Sequence, residues 1–273
     1  MTLVLRKDEF DIIAEFLKQR SGLALTQDKM YLIETRLQPI TRNHGIKDIP
    51  EMIARLKAGT LPPAVITEMT EAMTTNESMF YRDTKPFEYL TKVMVPAMKA
   101  AGRTHLRIWS AACSTGQEPY SIVMSLKEMG AALGGMTFEV IATDLNEKVL
   151  ERARAGIFTQ FEVQRGLPIT MLVKYFKQQP GNLWEIQAPV KAPVKFMTMN
   201  LLDSYSVLGR FDIIFCRNVL IYFDDKGKSQ VLDKLAGALN PPGFLMLGSA
   251  ETILSLSNKY KLAGEQHGLY TLA

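Results

Sequence analysis

Apolar residues recur with two different periods along the chain. From the start to about residue 75 the spacing is helical. In "DEFDIIAEFLKQRSG", Phe10, Ile13 and Leu17 fall on one stripe, and Gly22 ends the segment. In "TQDKMYLIETRLQPI", Met30, Ile33 and Leu37 share a face, and Thr26 stands where an N-cap belongs. Shorter helices are expected near 50–57 and 63–73, so residues 1–75 read as a small all-α domain. Residues 76–104 read as a linker and connecting helix.

After about residue 105 the period changes. Short apolar runs alternate with helical segments: "LRIWSA" (106–111), "FEVIAT" (138–143), "VKFMTM" (194–199), "FDIIFC" (211–216) and "GFLMLGS" (243–249). Most are unbroken apolar runs, as strands buried on both faces require. Their alternation with helices predicts an α/β domain over 105–273, built on a doubly wound, mostly parallel sheet. The stretch 156–195 is irregular and rich in Pro and β-formers, which suits a small antiparallel β-subdomain. "YKLAG" and "GLYTL", with a turn at 265–267, read as a closing hairpin.

Composition narrows the class. The 273 residues are 47% hydrophobic and 22% charged, enough for one large core and a satellite. No run approaches the ~20 apolar residues of a membrane span. "MTLVLRKDEF" turns charged too early for a signal peptide, so a cytoplasmic protein without membrane insertion is expected. Cys113 and Cys216 are too few for a disulfide framework and agree with a reducing compartment. With His44, His105 and His267 they show no zinc-ligand spacing, so no metal is expected. The net charge of +4 is mild for a dedicated nucleic-acid binder. Lys29, Arg36, Arg42 and Lys47 nevertheless share a stretch with one acid, Glu34. It is either a solvated helix face or a docking surface for an acidic partner.

In an open α/β sheet, ligands bind beyond the carboxyl ends of the strands near the topological switch point. "IWSAACSTGQEPYS" (108–121) passes there from strand to helix through small residues, Ala111 to Gly116, that let a ligand approach the backbone. Ser114 or Thr115 stands where it could cap the helix, and Pro119 suits its first turn. One glycine does not make the G-x-G-x-x-G fingerprint, so a small nucleoside fits better than a pyrophosphate. Asp144, ending "FEVIATDLN", is either a helix-capping acid or an acceptor for both ribose hydroxyls. Turn and acid together describe a nucleoside site, for a nicotinamide cofactor or S-adenosylmethionine (SAM).

Two further stretches choose between them, "TTNESMFYR" (74–82) and "CRNVLIYF" (216–223). With "WSAACSTGQEPYS" and "ATDLN" they form four ordered motifs, and on these the chain resembles the chemotaxis receptor methyltransferases of the CheR type. Those enzymes are SAM-dependent and methylate glutamate side chains of chemoreceptors. The resemblance extends over essentially the whole chain and implies a class I SAM-dependent methyltransferase fold. It implies cofactor contacts at Asn76, Ser78 and Arg82, and Glu118 facing the cofactor's amino-acid end. It implies Asp144 at the ribose, Asn200 and Leu201 at the adenine, and Asn218 and Val219 at the reacting end. Arg82 and Tyr222 correspond to the residues nearest the methyl acceptor. Ser78, Tyr81 and Gln117 depart from the family's commoner residues, and only the role of Gln117 is thereby put in doubt.

Residue chemistry agrees. An unperturbed glutamate carboxyl titrates at about pH 4.3, so a glutamate acceptor is already ionised at neutral pH and no general base is required. No histidine occurs in the four motifs. The reaction needs alignment of oxygen, methyl and sulfur in a site depleted of water. Arg82 can orient a carboxylate through two parallel bonds, and the Tyr222 hydroxyl can fix the acceptor or the methionine end. The plainer alternatives are a surface or bridging arginine and a half-buried core tyrosine. "NPPG" (240–243) is similar to the signature of amino-nitrogen methyltransferases, but it precedes the fifth strand and lacks the aromatic, so it reads as a turn.

The competing functions are a nucleic-acid methyltransferase using the basic helix and a non-catalytic SAM-binding module. Modest charge and the missing nitrogen-methylating signature oppose the first; Arg82 and Tyr222 oppose the second. The expected partner is a chemoreceptor cytoplasmic domain, met through Lys29, Arg36 and Arg42 by a monomeric enzyme, with no nucleic acid involved. Some family members also dock a receptor C-terminal pentapeptide on the antiparallel subdomain through a longer, glycine-containing loop. Here the corresponding turn, "QQPGNLW" (178–184), reads as shorter, and Pro180 lacks a backbone donor. No pentapeptide binding is expected.

Overall fold

The computed structural model describes residues 5–273; residues 1–4, which open the segment weighed against a signal peptide, lie outside the described residues. Two compact units emerge: Met1–Thr75 with Tyr222–Gly227, and Asn76–Ile221 with Lys228–Ala273.

The first unit is helical: α1 (Lys7–Ser21), α2 (Met30–Asn43), α3 (Ile49–Lys57) and α4 (Pro63–Met73). The apolar stripes meet in one core, where Phe10, Ile13 and Leu17 pack with Ile33, Leu37, Met52 and Met69. Gly22 ends α1 in the left-handed region at φ 80°, its N–H donating to the Lys18 carbonyl. Thr26 does not cap α2. Its hydroxyl donates to Asp28, and a 3-10 turn (Gln27–Lys29) intervenes before Met30. Tyr222–Gly227 packs into this unit. The Ala24 N–H donates to the Tyr222 carbonyl at 2.8 Å, and Lys18 pairs with Asp224 at 2.8 Å.

The second unit holds β1 (His105–Ala111), β2 (Thr137–Asp144), β3 (Ile157–Thr159), β4 (Phe176–Gln179), β5 (Leu183–Ile186), β6 (Val194–Thr198), β7 (Phe211–Cys216), β8 (Leu239–Leu247), β9 (Tyr260–Leu262) and β10 (Leu269–Leu272). The main sheet runs β6-β2-β1-β7-β8-β10-β9. Its first five strands are parallel, and β10 and β9 close it antiparallel. The chain builds outward from β1 through β2 to β6, then returns to the other side of β1 for β7. The switch point therefore lies between β1 and β7. Every residue of β7 is buried, the five apolar ones as a strand covered on both faces requires and Asp212 with its carboxylate accepting the Arg107 N–H at 2.9 Å. In contrast β6 exposes Lys195 and Met197, because it is an edge strand.

The NPPG stretch is not a separate turn. It bulges within β8, where the register against β7 jumps from Phe211↔Leu239 to Ile213↔Phe244. That bulge lies at the amino end of the strand, away from the switch point. The irregular stretch forms an antiparallel sheet, β3-β5-β4. Pro180 follows the last residue of β4 and sits in the turn, so its missing donor removes nothing from the strand edge.

Candidate functional site

Register places the carboxyl ends of the parallel strands in one row. Thr198 lies beside Asp144, Thr143 beside Ala111, Ala111 beside Cys216, and Cys216 beside Leu247. The loops that follow are 112–116, 145–146, 199–201 and 217–219, which hold motif or candidate site residues, and 248–251, which holds none.

Asp144 is 8% exposed. Its Oδ2 accepts the Ser114 N–H at 2.8 Å and its Oδ1 the Asn146 N–H at 3.0 Å. The carboxylate thus ties the first strand's loop to its own. A carboxylate oxygen can accept two hydrogen bonds, so one that holds an amide can still take a hydroxyl. The glycine-poor loop works differently from expectation. Its amides serve the protein: Cys113 donates to the Thr143 carbonyl, Ser114 to Asp144, and Gly116 to the Cys113 carbonyl. Neither Ser114 nor Thr115 caps the helix Gln117–Glu128. Gly116 is the N-cap residue at φ 93°, the Ser114 hydroxyl donates to the Asn76 carbonyl at 2.9 Å, and Thr115 donates to the Gln117 side chain at 2.7 Å. Gln117, whose role the sequence left open, is therefore a buried partner that closes the turn.

Glu118 and Arg217 form the charged centre. Glu118 accepts the Ser110 hydroxyl at 2.7 Å and Arg217 Nη1 at 2.8 Å. Arg217, with a side chain 1% exposed, also donates from Nη2 to the Arg82 carbonyl and to Asp83 Oδ2, both at 2.8 Å. One fork joins the end of β7, the acid of the helix after β1, and the segment that carries Arg82. That segment is sharply bent: Tyr81, Asp83 and Thr84 have φ of 51°, 67° and 51°. Non-glycine residues rarely hold such values without support, and they cluster at functional sites.

The motif 76–82 is anchored along its length. Besides Asn76 and Arg82, the Tyr81 N–H donates to the Ser121 hydroxyl at 3.1 Å. Phe80 packs edge-on against Phe158 at 4.9 Å and Phe176 at 5.5 Å. Ser78 and Arg82 are half-buried, and Arg82 Nη1 donates to the Glu77 carbonyl at 3.2 Å. Asn200 accepts the Leu202 N–H at 3.0 Å, and the neighbouring Met199 N–H donates to the Asp144 carbonyl. Leu201 is buried beside it. Asn218 (φ 59°) and Val219 are half-buried in the turn after β7. Tyr222, half-buried, belongs to the segment grouped with the helical unit.

An acid suited to hydroxyls, a second acid suited to an ammonium group and an apolar Leu201 suit a nucleoside joined to an amino acid, so the residues fit SAM. Sequence reasoning missed Arg217 and Glu251. The visible signal for Arg217 was a cation directly after the four apolar residues Ile213 to Cys216. For Glu251 it was a lone acid: no other residue from 235 to 258 is charged. Cys113 and Cys216 are buried, and burial pushes both thiols well above their usual range, so they are poor nucleophiles.

Two family models match the chain. One, described as CheR methyltransferase, SAM binding domain, matches residues 76–269; the other, described as CheR methyltransferase, all-alpha domain, matches residues 8–74. The chain is similar to chemotaxis protein methyltransferase 1 of Pseudomonas aeruginosa, 39% identical over 262 residues, 93% of each protein. It is likewise similar to the chemotaxis protein methyltransferase of Salmonella typhimurium, 34% identical over 270 residues, 96% of this chain and 90% of that one.

Proposed function

The chain belongs to the CheR methyltransferase family, and on that premise we propose that it methylates glutamate side-chain carboxylates of chemoreceptor cytoplasmic domains, giving γ-glutamyl methyl esters. The observation that carries this reading is the row of strand ends where Asp144, the Glu118–Arg217 pair and the Arg82 segment converge. SAM supplies a methyl group on a sulfonium, which departs as the thioether S-adenosylhomocysteine. The acceptor oxygen forms the new carbon–oxygen bond as a carboxylate, so the chain need remove no proton. Asp144 holds the ribose hydroxyls and Glu118 the cofactor's ammonium group. Asn76 and Ser78 join the cofactor contacts, Asn200 and Leu201 flank the adenine, and Asn218 and Val219 line the reacting end. Arg82 orients the acceptor carboxylate, and the Tyr222 hydroxyl fixes the acceptor or the cofactor's methionine end.

Methyl transfer from labelled SAM to receptor cytoplasmic fragments, followed by base, tests the chemistry. Carboxyl methyl esters release methanol, whereas base-stable label would point to a nitrogen acceptor. The nucleic-acid alternative is less supported, since the NPPG stretch is a bulge at the amino end of β8. Arg82→Ala and Tyr222→Phe are each expected to lower transfer by roughly tenfold, the worth of one hydrogen bond to a charged group. Their melting temperatures should stay near the parent's. Full activity in both variants would move the acceptor elsewhere.

The basic stretch needs one correction. Arg36 Nη1 donates to the Met73 and Thr74 carbonyls, both at 2.9 Å, so it satisfies the end of α4 rather than offering a free charge. Lys29 and Arg42 are exposed. Reversing those two is expected to raise the Michaelis constant for receptor and flatten its salt dependence, with SAM affinity unchanged. An unaltered Michaelis constant would leave them a solvated face. For the receptor pentapeptide the expectation of no binding rests on the short turn 180–182 between β4 and β5. Titration of the free peptide is expected to give no heat, and micromolar affinity would reverse that reading.

A further inference from the structure

Glu251 is 5% exposed, and carboxylates are seldom buried this far without several partners. Its partners are backbone amides. Oε2 accepts from Asn218 at 2.8 Å and Gly248 at 2.7 Å; Oε1 accepts from Val219 at 2.9 Å and Leu220 at 2.8 Å. Three of these amides are consecutive in the turn after β7, and the fourth follows β8, the adjacent strand. One side chain thereby joins the carboxyl ends of two parallel strands. Asn218 is at φ 59°, a conformation that bare sterics disfavour for asparagine and that convergent hydrogen bonds can hold.

Gly248 supplies the space. A Cβ there would lie 2.7 Å from Glu251 Oε2 and 2.9 Å from the Asn218 nitrogen. Its φ is not in the left-handed region, so the glycine answers to room and not to backbone conformation.

We propose that Glu251 is a positioning residue of the cofactor site, which sets the turn 217–220 so that Asn218 and Val219 meet the ligand. The proposal rests on the reading of Asn218 and Val219 as cofactor-lining residues. Because the amides of 218, 219 and 220 are held by Glu251, the turn offers a ligand its side chains and carbonyl oxygens instead. Its contribution to binding then depends on a conformation that a residue more than thirty positions away maintains.

Glu251→Gln is a selective test. A carboxamide oxygen accepts at most two hydrogen bonds, and the NH2 group replaces the other acceptor with donors. The variant must therefore lose one of the two amide pairs, 218 with 248 or 219 with 220. Amide hydrogen exchange of the ligand-free protein is expected to speed up in the peptide spanning 217–221 and not across β1 or β2. Calorimetry is expected to show S-adenosylhomocysteine affinity reduced by about tenfold. The Michaelis constant for SAM should rise and that for the receptor fragment should not. Gly248→Ala, which crowds the same carboxylate without altering its charge, is expected to act in the same direction and serves if Glu251→Gln folds poorly. Unchanged exchange in the turn overturns the proposal. Faster exchange with unchanged affinity also overturns it, since Glu251 would then be a structural cap alone. Asp144→Ala run in parallel separates the causes. If it weakens binding and Glu251→Gln does not, the positioning role fails by itself; if neither does, the cofactor reading fails and takes the proposal with it.

Discussion

Asp144→Ala is expected to weaken S-adenosylhomocysteine binding by roughly 10- to 150-fold, the equivalent of about 1.5–3 kcal/mol for hydrogen bonds to a charged acceptor. The side chain has two tasks. It accepts the Ser114 and Asn146 amides within the protein, and it stands at the end of β2 beside the switch point, where a ribose is expected. Removing it leaves those two amides without their acceptor, which also lowers stability. Affinity must therefore be measured well below the melting temperature, with the folded fraction checked by circular dichroism. Ligand affinity equal to the parent's, in a protein that melts lower, would assign Asp144 to the loop connection alone.

The parts of the molecule governed by hydrophobic period were legible in the sequence. β7 spans the same six residues as the run FDIIFC, because a strand buried on both faces is apolar at every position but one, Asp212, whose buried carboxylate accepts the Arg107 N–H. The stripe Phe10, Ile13 and Leu17 is buried for the parallel reason on a helix. Where local hydrogen bonding competes, reading fails. Thr26, Ser114 and Thr115 all sit at plausible cap positions, yet each hydroxyl found another partner: Asp28, the Asn76 carbonyl and Gln117. Only the fold determines which acceptor is within reach. Arg36 shows the same limit for charge. Its position on a basic helix is local information, whereas its use at the end of α4 depends on packing between helices. Glu251 and Arg217 escaped notice because their partners are mostly backbone groups or distant residues, which no spacing rule encodes.

Arg217→Ala is expected to be the most destabilising of these changes. Its guanidinium is buried between Glu118 and Asp83 and holds the Arg82 carbonyl, with the Phe87 ring 5.8 Å away. Deleting one partner of a buried ion pair costs about 3–5 kcal/mol, since the remaining charge loses its compensation. For a unit of this size that corresponds to a melting temperature lower by roughly 6–20 °C. Glu118 would keep the Ser110 hydroxyl and Tyr81 its bond to Ser121, while the turn 81–84 would lose its contacts at the Arg82 carbonyl and Asp83. Arg217→Lys separates charge from geometry. A single ammonium keeps the net charge but cannot reproduce a planar fork that serves Glu118 on one side and Asp83 with the Arg82 carbonyl on the other. It is expected to fold with a smaller loss of melting temperature, and to lower methyl transfer by up to the roughly tenfold expected of Arg82→Ala, because the backbone that carries Arg82 is no longer fixed. A melting temperature for Arg217→Ala within about 2 °C of the parent, a change of no more than about 1 kcal/mol, would show that the network contributes little to the fold. Full methyl transfer by Arg217→Lys would show that the charge at position 217, and not the fork, is what keeps the turn in place.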